Sequence, residues 1–597
     1  MRAIFAYLTA LLVIVLVYAA IPFFSIPYPG EIVWTSGFAK SFINAGWPLS
    51  TKAVNFGIPA PAPIPFGLAG AFLQSGLMVL FQLKAIDAYA LGALIWLTIA
   101  LLGCSALARR LGASRLEAPF FSLIYLTLPI VWWHASFAML SIGFALLPLY
   151  LFLAFRLVYD LKSGFTPQGQ ITILSFVLAS LLAVFIDGYT YVMFVVASGS
   201  FCLIAAIRGD VRRSRLAFIT APVLFLAVIL SYLAYTRYLG VHSFETAPME
   251  VFRGWGVDVV MMLIPSQGVS WLFDAFHLSV PRSDREFFGD ASVWMTTFSA
   301  PLLVLGAWSF ISARRHPFAA HLLCISLIGF YFALGPSLKV NLLKPRASEA
   351  AANLRTATPW NMPKDLTRIS TGNEIFSEHL PGFTSMRAAY RWSGLLFVGL
   401  FGLSVLLLKK LQERGHQGLG YFLVPIVVLL NLPDLPRQLT NSRANWKAMR
   451  QMEADLQPLN DAIGPQKKAV FFPQGNDFLV NYLAAEGKYY TYNVGGDKNI
   501  ELASKSWPPE IKKFLSTSLT DTFDQDIARV LFSKAVDRVV IPYFDTLVNA
   551  SEWPPSEELV SARRAKYASA IARLSQKPQF LIKEGKDYAI ISLEVPL

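Results

Sequence analysis

The stretch from Gly394 to Arg414 reads GLLFVGLFGLSVLLLKKLQER, and its pattern decides the class of fold. Residues 394–408 contain no charged side chain, and Lys409 and Lys410 follow them directly. Together with the residues from Arg391 onward, this run approaches the roughly 20 residues that cross about 30 Å of hydrocarbon. Cations just beyond such a run are typical of the cytoplasmic end of a membrane helix. The stretch therefore predicts a transmembrane helix over 391–408.

Similar apolar runs recur along the first three quarters of the chain and stop near Asn431. With 55% hydrophobic and 15% charged residues, a chain of 597 residues cannot bury its apolar surface in one soluble core. The sequence predicts a polytopic α-helical membrane protein with about eleven transmembrane helices. Their predicted ranges are 4–24, 88–108, 117–134, 139–158, 171–187, 189–207, 216–236, 293–312, 319–338, 391–408 and 419–433.

The distribution of charge predicts the topology. If the N-terminus is cytoplasmic, the inner connections carry about fifteen Lys and Arg residues against four acids, whereas the outer loops are balanced. Short inner loops rich in cations are the positive-inside pattern. Membrane orientation accounts for the net charge of +13, so no nucleic-acid partner is predicted. We expect an integral protein of the bacterial inner or plasma membrane, with its C-terminal part outside the cytoplasm.

The start of the chain allows two interpretations. Residues 4–24 follow Arg2 and could be a cleaved signal peptide, since Tyr18-Ala19-Ala20 resembles a small-residue cleavage site. The apolar run is longer than a usual signal core, which favours an uncleaved first helix. In both cases the following segment lies outside the cytoplasm.

Three predicted outer segments, 25–87, 238–292 and 341–390, are too long for simple turns, and loops of this length usually carry function. The first contains the apolar run Gly67 to Leu83, which we interpret as an interfacial or re-entrant helix. We predict two domains, a transmembrane module over 1–435 with these loops and an extracytoplasmic α/β domain over 436–597.

The α/β assignment of the second domain rests on short β-rich runs separated by helical stretches. Ala469–Phe472 and Arg538–Tyr543 are predicted strands, and 580–582 with 588–593 predict a hairpin around Gly585-Lys586-Asp587. Helices are predicted near 446–459 and 561–575.

Three predicted outer positions carry groups that could take part in chemistry. Glu31 follows the first helix and could accept a proton from a hydroxyl nucleophile, although a solvated interfacial acid is the simpler reading. Asp187 lies in the short turn Asp187-Gly188, where a purely structural role is the alternative. His134, in Trp132-Trp133-His134, either lines a site or belongs to an interfacial aromatic cluster.

Arg387 and Arg391 are four residues apart at the predicted outer start of the tenth helix. On one helical face they could form a guanidinium clamp for phosphate, for which the planar donor fork of arginine is suited. Snorkelling at the interface is the alternative. The acids and histidines of the middle loop match no metal motif in their spacing, so no metal is assigned, and a requirement for a divalent metal stays open.

Several local patterns together resemble the GT-C superfamily of membrane glycosyltransferases, particularly the bacterial branch of YfhO-like proteins. The resembling pieces are Glu31, Gly46-Trp47-Pro48, Gly57-Ile58-Pro59, Leu334-Gly335-Pro336, Leu380-Pro381-Gly382 with Arg387 and Arg391, and Val536-Asp537-Arg538-Val539-Val540. Such families usually carry Asp where this chain has Glu31.

The resemblance implies transfer of a sugar from a polyprenyl-phosphate donor to a glycan, lipid or protein acceptor outside the cytoplasm. Glu31 would then be the general base, Arg387 and Arg391 would hold the donor phosphate, and Asp187 and His134 would line the site. The alternatives are a transporter or flippase of lipid-linked glycans and a non-enzymatic envelope-assembly protein. The nearly charge-free spans and the absence of repeated halves count against a transporter.

Overall fold

The computed structural model describes residues 1–46, 50–59, 61–161, 166–241, 243–346, 360–475, 477–516, 519, 522–546 and 553–594. Within these ranges the side chains of Glu31, Ser136, Ala138 and Gln417 are not described. Most of the described residues are helical.

Ten α-helices of four or more residues lie in the described part of the chain up to Leu239. They are α1 Arg2–Tyr18, α2 Gly30–Asn44, α3 Leu68–Phe81, α4 Ala85–Arg110, α5 Glu117–Leu126, α6 Pro129–Trp132, α7 Ala138–Phe155, α8 Pro167–Ile186, α9 Gly188–Arg208 and α10 Ala221–Leu239. A π-helical turn, Arg156–Asp160, follows α7, and a second one, Leu216–Thr220, leads into α10.

Short helices fill the connections after Leu239, and longer ones return from Ala300 onward. They are α11 Met249–Gly254, α12 Val259–Leu263, α13 Trp271–Ala275, α14 Ala291–Thr296, α15 Ala300–Ala313, α16 Ala319–Ala333, α17 Glu374–His379, α18 Ser393–Glu413 and α19 Gln417–Asn431. The C-terminal helices are α20 Leu435–Asp455, α21 Gln457–Ile463, α22 Phe478–Gly487, α23 Asp497–Ser504, α24 Pro509–Leu515, α25 Phe523–Phe532 and α26 Glu557–Ser575.

Six helical segments in the described part of the chain are long and apolar enough to cross a membrane. They are Ala85–Arg110, Met139–Asp160, Pro167–Ile186, Gly188–Arg208, Arg213–Leu239 and Ala389–Glu413. Two bent pairs raise the number to eight if each is one span, namely Glu117–Leu126 with Pro129–Ala135, bent by 68°, and Gly418–Asn431 with Leu435–Ile463, bent by 48°.

The predicted number of eleven transmembrane helices is therefore not confirmed. Three of the predicted spans correspond to α1, α15 and α16, which have only 14 to 17 residues. The apolar run at Gly67 to Leu83 forms α3, whose 14 residues are fewer than the roughly 20 that a span needs. The difference arises because apolar runs in the sequence include residues beyond the ends of these helices, so the count of eleven stays a prediction.

The chain forms two compact units. The first unit comprises Met1–Tyr18, Leu94–Ala135 and Met139–Gln438, and the second comprises Ala19–Ala93, Ser136–Ala138 and Leu439–Leu597. The first long loop thus belongs to the same unit as the C-terminal part of the chain. The predicted division at residue 435 into two domains stays a prediction.

Close helix packing in the first unit fixes α18. At Gly329 of α16, a Cβ atom would lie 2.3 Å from the backbone nitrogen of Leu396. At Gly399 of α18, it would lie 2.2 Å from the hydroxyl of Ser326. Small residues let membrane helices approach this closely. The two glycines therefore let α18, which directly follows the segment that carries Arg391, pack closely against α16.

The second unit contains a five-stranded sheet of β3 Lys468–Phe471, β4 Tyr490–Thr491, β5 Arg538–Pro542, β6 Phe580–Glu584 and β7 Tyr588–Leu593, after a small antiparallel pair, β1 Lys52–Ala53 and β2 Ala62–Pro63. The strand order is β4-β3-β5-β7-β6. Strands β4, β3 and β5 are parallel, whereas β7 pairs antiparallel with both β5 and β6.

This sheet confirms the predicted α/β character of the C-terminal part. The two predicted strands correspond to β3 and β5, and the predicted hairpin corresponds to β6 and β7. The predicted helix at 561–575 is α26, which begins at Glu557. The predicted helix at 446–459 is divided between α20 and α21, because Pro458 starts a new helical turn after Leu456.

Candidate active site

Arg391 lies in the last turn before α18, in the first unit. Residues Ala389–Trp392 form a 3-10 turn that leads directly into α18, so the segment belongs to the same helical rod. Arg387 lies outside this rod, because Met386 has φ −97° and ψ 53° and Ala388 has φ −86° and ψ 72°. The expectation that the two arginines share one helical face is therefore wrong, although both lie at the same end of α18.

Two tyrosine rings surround the Arg391 guanidinium. Its central carbon lies 4.8 Å from the centre of the Tyr189 ring and 5.8 Å from that of Tyr390. Its Nε atom also donates a hydrogen bond of 3.3 Å to the Tyr390 hydroxyl. Cations within about 6 Å of an aromatic face are stabilised by the ring quadrupole. Arg391 is therefore held in one orientation while part of its side chain stays accessible.

His134 lies directly behind Tyr390. Its Nδ1 atom is 3.0 Å from the Ile130 carbonyl oxygen, and its Nε2 atom is 3.0 Å from the Tyr390 hydroxyl. Since a carbonyl can only accept, the neutral ring carries its proton on Nδ1, and Nε2 accepts from Tyr390. The result is a chain of donors from Arg391 through Tyr390 to His134. His134 is only 1% exposed, so it supports the site from behind.

Asp187 connects α8 to α9. Its backbone is extended, and its carboxylate accepts a hydrogen bond of 2.9 Å from the Thr190 backbone nitrogen, which makes it the N-cap of α9. An electrostatic interaction also joins this buried carboxylate to Arg391. Asp187 thus has a structural role, as the simpler sequence interpretation expected, and the carboxylate also balances part of the Arg391 charge.

Arg387 is paired with a different aromatic ring. Its guanidinium carbon lies 5.9 Å from the centre of the Trp255 ring. The glycines on both sides of Trp255 allow close packing, because a Cβ at Gly254 would lie 1.9 Å from the Trp360 carbonyl oxygen and one at Gly256 would lie 2.1 Å from that of Leu334. The Trp255 carbonyl accepts a hydrogen bond of 2.9 Å from the backbone nitrogen of Tyr390. The two arginines thus lie against one aromatic wall, which is formed by the rings of Tyr189, Trp255 and Tyr390.

A second carboxylate, Asp290, interacts electrostatically with both arginines. It caps α14 by accepting a hydrogen bond of 2.9 Å from the Ser292 backbone nitrogen. Burial raises the pKa of Asp290, while the hydrogen bonds from Ser292 and the positive charges of Arg391 and Arg387 oppose this rise. The site therefore contains two fixed cations, with carboxylates placed to limit their excess charge.

The structure brings four of the five predicted site residues into this region, namely His134, Asp187, Arg387 and Arg391. Sequence reasoning missed Tyr189, Trp255 and Tyr390. Tyr390 is next to a selected arginine and Tyr189 is two residues after the selected Asp187, whereas Trp255 has no selected residue near it in the sequence. Two guanidinium groups on an aromatic wall can bind an oxyanion such as a phosphate and offset the charge that develops on it.

Comparison with solved structures identifies the fold. The structure is similar to the Archaeoglobus fulgidus oligosaccharyltransferase in its apo form (TM-score 0.50, 12% identity, covering 91% of this chain and 69% of that one). It is similar to ArnT from Cupriavidus metallidurans (TM-score 0.50, 10% identity, covering 99% and 97%). It is also similar to the arabinofuranosyltransferase AftD from Mycobacteria (TM-score 0.50, 11% identity), of which this chain covers 40%.

This protein has the GT-C fold. The predicted fold is thereby confirmed, whereas membership of the superfamily and of its YfhO-like branch stays a prediction. No family model matches the sequence, and no curated protein sequence matches it.

Within this fold, Glu31 is the second residue of α2 and belongs to the second unit. Its side chain lies outside the described residues, so its role as general base stays a prediction. Among the described residues, no group of three or more His, Cys, Asp or Glu side chains is arranged to hold a metal ion.

Proposed function

We propose that this protein is a membrane glycosyltransferase that moves a sugar from a polyprenyl-phosphate donor to an acceptor outside the cytoplasm. The pair Arg387 and Arg391 carries this proposal, because two oriented guanidinium groups on an aromatic wall suit a lipid-linked phosphate. The GT-C fold supports the same class, since two similar structures are named as an oligosaccharyltransferase and an arabinofuranosyltransferase. The acceptor is a glycan, a lipid or a protein of the cell envelope.

In the proposed reaction, an acceptor hydroxyl oxygen attacks the anomeric carbon of the donor sugar. A bond forms between this oxygen and the anomeric carbon, and the bond between the anomeric carbon and the phosphate oxygen breaks. Glu31 takes the hydroxyl proton as general base. The polyprenyl phosphate leaves with its negative charge, which Arg387 and Arg391 offset. Tyr390 and His134 keep Arg391 in position, and Asp187 balances its charge.

The proposed orientation follows from the charges of the connecting loops. Inner loops rich in Lys and Arg favour a cytoplasmic N-terminus, with the segments 25–87, 238–292, 341–390 and 436–597 outside. Nucleotide sugars are confined to the cytoplasm, so a site outside requires a donor delivered by the membrane. Reporter fusions at the C-terminus and within 238–292 test this directly. A cytoplasmic signal from either fusion contradicts the proposed setting.

The activity is tested with purified protein in lipid nanodiscs, a panel of radiolabelled polyprenyl-phosphate sugars and an envelope extract as acceptor. We expect label in an acceptor product and lower turnover by about 10²- to 10⁴-fold for Glu31→Gln, the usual contribution of a general base. Glu378→Gln is the matched control, because Glu378 is exposed in the first unit. Full activity of Glu31→Gln would remove the general-base assignment. Movement of label across the bilayer without transfer would favour a flippase.

A further inference from the structure

Helix α2, which carries Glu31, packs against helix α22 of the C-terminal part within the second unit. The backbones of the two helices approach each other closely at Gly37. A Cβ atom at this position would lie 3.0 Å from the backbone nitrogen of Tyr482 and 3.2 Å from the carbonyl oxygen of Asn481. These neighbours are backbone atoms of a helix, which cannot rotate away as a side chain can. The separation of the two helices is therefore set by the missing side chain of Gly37.

Contacts at several levels along α2 fix its rotation against α22. Trp34, one turn after Glu31, stacks on Phe478 with ring centres 5.3 Å apart and an interplanar angle of 24°. Lys40 forms an ion pair with Glu486 and lies 4.2 Å from the centre of the Tyr482 ring.

Further contacts tie the end of α2 and the following residues to the sheet. Asn44 donates a hydrogen bond of 2.7 Å to the Ala485 carbonyl. The Asn55 carbonyl accepts one of 2.8 Å from the Thr491 nitrogen of β4, and Phe56 forms a parallel bridge with Thr491. Ile58 lies in the hydrophobic core of the C-terminal part. The first loop and the C-terminal part are therefore built around one core.

We propose that α22 is a positioning element for the reaction, and that Gly37 and Trp34 are positioning residues that hold the backbone of Glu31 in place. The inference rests on the proposed role of Glu31. In this role the C-terminal part contributes to the reaction by positioning α2 and does not need to bind the acceptor. A proton acceptor must lie within hydrogen-bond reach of the attacking hydroxyl, and a displacement of about 1 Å can cost about 10²-fold in rate. Any change that pushes α2 away from α22 should therefore slow turnover.

The test compares Gly37→Ala with Gly70→Ala in the full-length protein. Both changes add one methyl group to a helix of the second unit and favour helical backbone. At Gly37 the methyl meets the α22 backbone, whereas at Gly70 no atom lies within 4 Å of the added Cβ. We expect Gly37→Ala to lower kcat by about tenfold with little change in the KM for the donor, as a displaced proton acceptor requires. Gly70→Ala should keep the wild-type kcat.

Combining each change with Glu31→Gln shows whether the effect acts through Glu31. If it does, Gly37→Ala should cause no further loss in the residual turnover of Glu31→Gln, since interacting sites are not additive. An equal loss in both backgrounds would overturn the inference, as would equal kcat values for Gly37→Ala and Gly70→Ala. Full activity of Glu31→Gln would instead contradict the general-base role in the proposed function, which separates the two failures.

A thermal midpoint and a monodisperse elution profile confirm that each variant is folded. If Gly37→Ala does not accumulate as folded protein, Trp34→Phe takes its place, because the smaller ring keeps an aromatic contact with Phe478 and changes the packing of α2. The same criteria apply to it. Loss of kcat that disappears in the Glu31→Gln background supports the inference, and unchanged kcat or additive loss overturns it.

Discussion

The guanidinium of Arg391 lies over the face of Tyr189, with its central carbon 4.8 Å from the ring centre. The Tyr189 hydroxyl in turn accepts a hydrogen bond of 2.9 Å from the backbone nitrogen of Ala388. One side chain from α9 thus holds both the arginine and the chain segment that leads to it. This explains why Arg391 keeps its orientation although it lies where a loop becomes a helix.

Replacement of Arg391 by Lys tests whether the planar guanidinium matters as well as the charge. Lysine keeps the charge, but it cannot donate from Nε to Tyr390 or present a planar fork to phosphate. We expect the KM for the lipid-linked donor to rise about tenfold, equivalent to about 1.4 kcal/mol of binding. Arg368→Lys is the control, because Arg368 is exposed in the same unit. Donor titrations with equal KM values for the two variants would exclude a specific role of the guanidinium.

The Tyr390 hydroxyl connects Arg391 to His134, and Tyr390→Phe removes only this oxygen. Both neighbours then lose a hydrogen bond in a buried setting, a change that typically costs about 1–3 kcal/mol. We expect a lower thermal midpoint together with a higher donor KM. In the control Tyr421→Phe, an exposed hydroxyl that bonds to Glu117 is removed. A stability loss without any change in donor KM would show that the chain of hydrogen bonds does not orient Arg391 for binding.

Ile58 belongs to the first long loop, yet its side chain packs in the core of the C-terminal part and is 9% exposed. Ile58→Ala should therefore destabilise the sheet, by about 2–5 kcal/mol if the cavity does not collapse. We expect a lower thermal midpoint and faster proteolysis within residues 439–597. Leu581→Ala is the control, since Leu581 is 57% exposed on β6. Equal proteolysis rates for both variants would contradict a shared core.

Asp477 is expected to make the stability of the second unit depend on pH. Its carboxylate accepts hydrogen bonds from Asn493 (2.8 Å), Thr546 (3.0 Å) and Gly475 (3.2 Å) at the ends of the parallel strands. Burial raises its pKa from 3.8 to about 7, although these hydrogen bonds oppose the rise and the nearby Asp545 adds to it. Between about pH 4 and about pH 7, the folded protein keeps a proton that the unfolded chain has lost.

The stability contributed by the protonated Asp477 is therefore present at low pH and is lost as the pH rises through this window. The loss is about 1.4 kcal/mol for each pKa unit that separates the folded and unfolded states. We expect Asp477→Asn to remove this slope. The difference between the thermal midpoint of the wild type and that of the variant should therefore decrease as the pH rises from about 4 to about 7. Asp461→Asn, at an exposed position of the same unit, should keep the slope. Parallel curves for wild type and Asp477→Asn would contradict the assignment.

Much of the fold could be predicted from local sequence alone. Uncharged runs such as 394–408 predict membrane helices because hydrocarbon excludes charge, and β-rich runs such as Arg538–Tyr543 predict strands because their side chains fit a buried sheet. The candidate residues Arg391, Asp187 and His134 also came from sequence, since polar groups beside apolar runs are conspicuous. The number of spans stays a prediction, because hydropathy does not show where a helix ends.

The sequence by itself determined that this is a membrane protein and which segments form its C-terminal sheet, and it supplied the candidate site residues. Only the tertiary structure decided which groups surround Arg391, because Tyr189 and Trp255 come from segments far away along the chain. It also decided that Arg387 lies outside the helix that contains Arg391. The backbone nitrogens of Ala388 and Tyr390 donate to Tyr189 and Trp255 instead of forming a helical turn through Arg387. The placement of α2 against α22 depends in the same way on backbone approach between distant segments, which no local pattern of residues encodes.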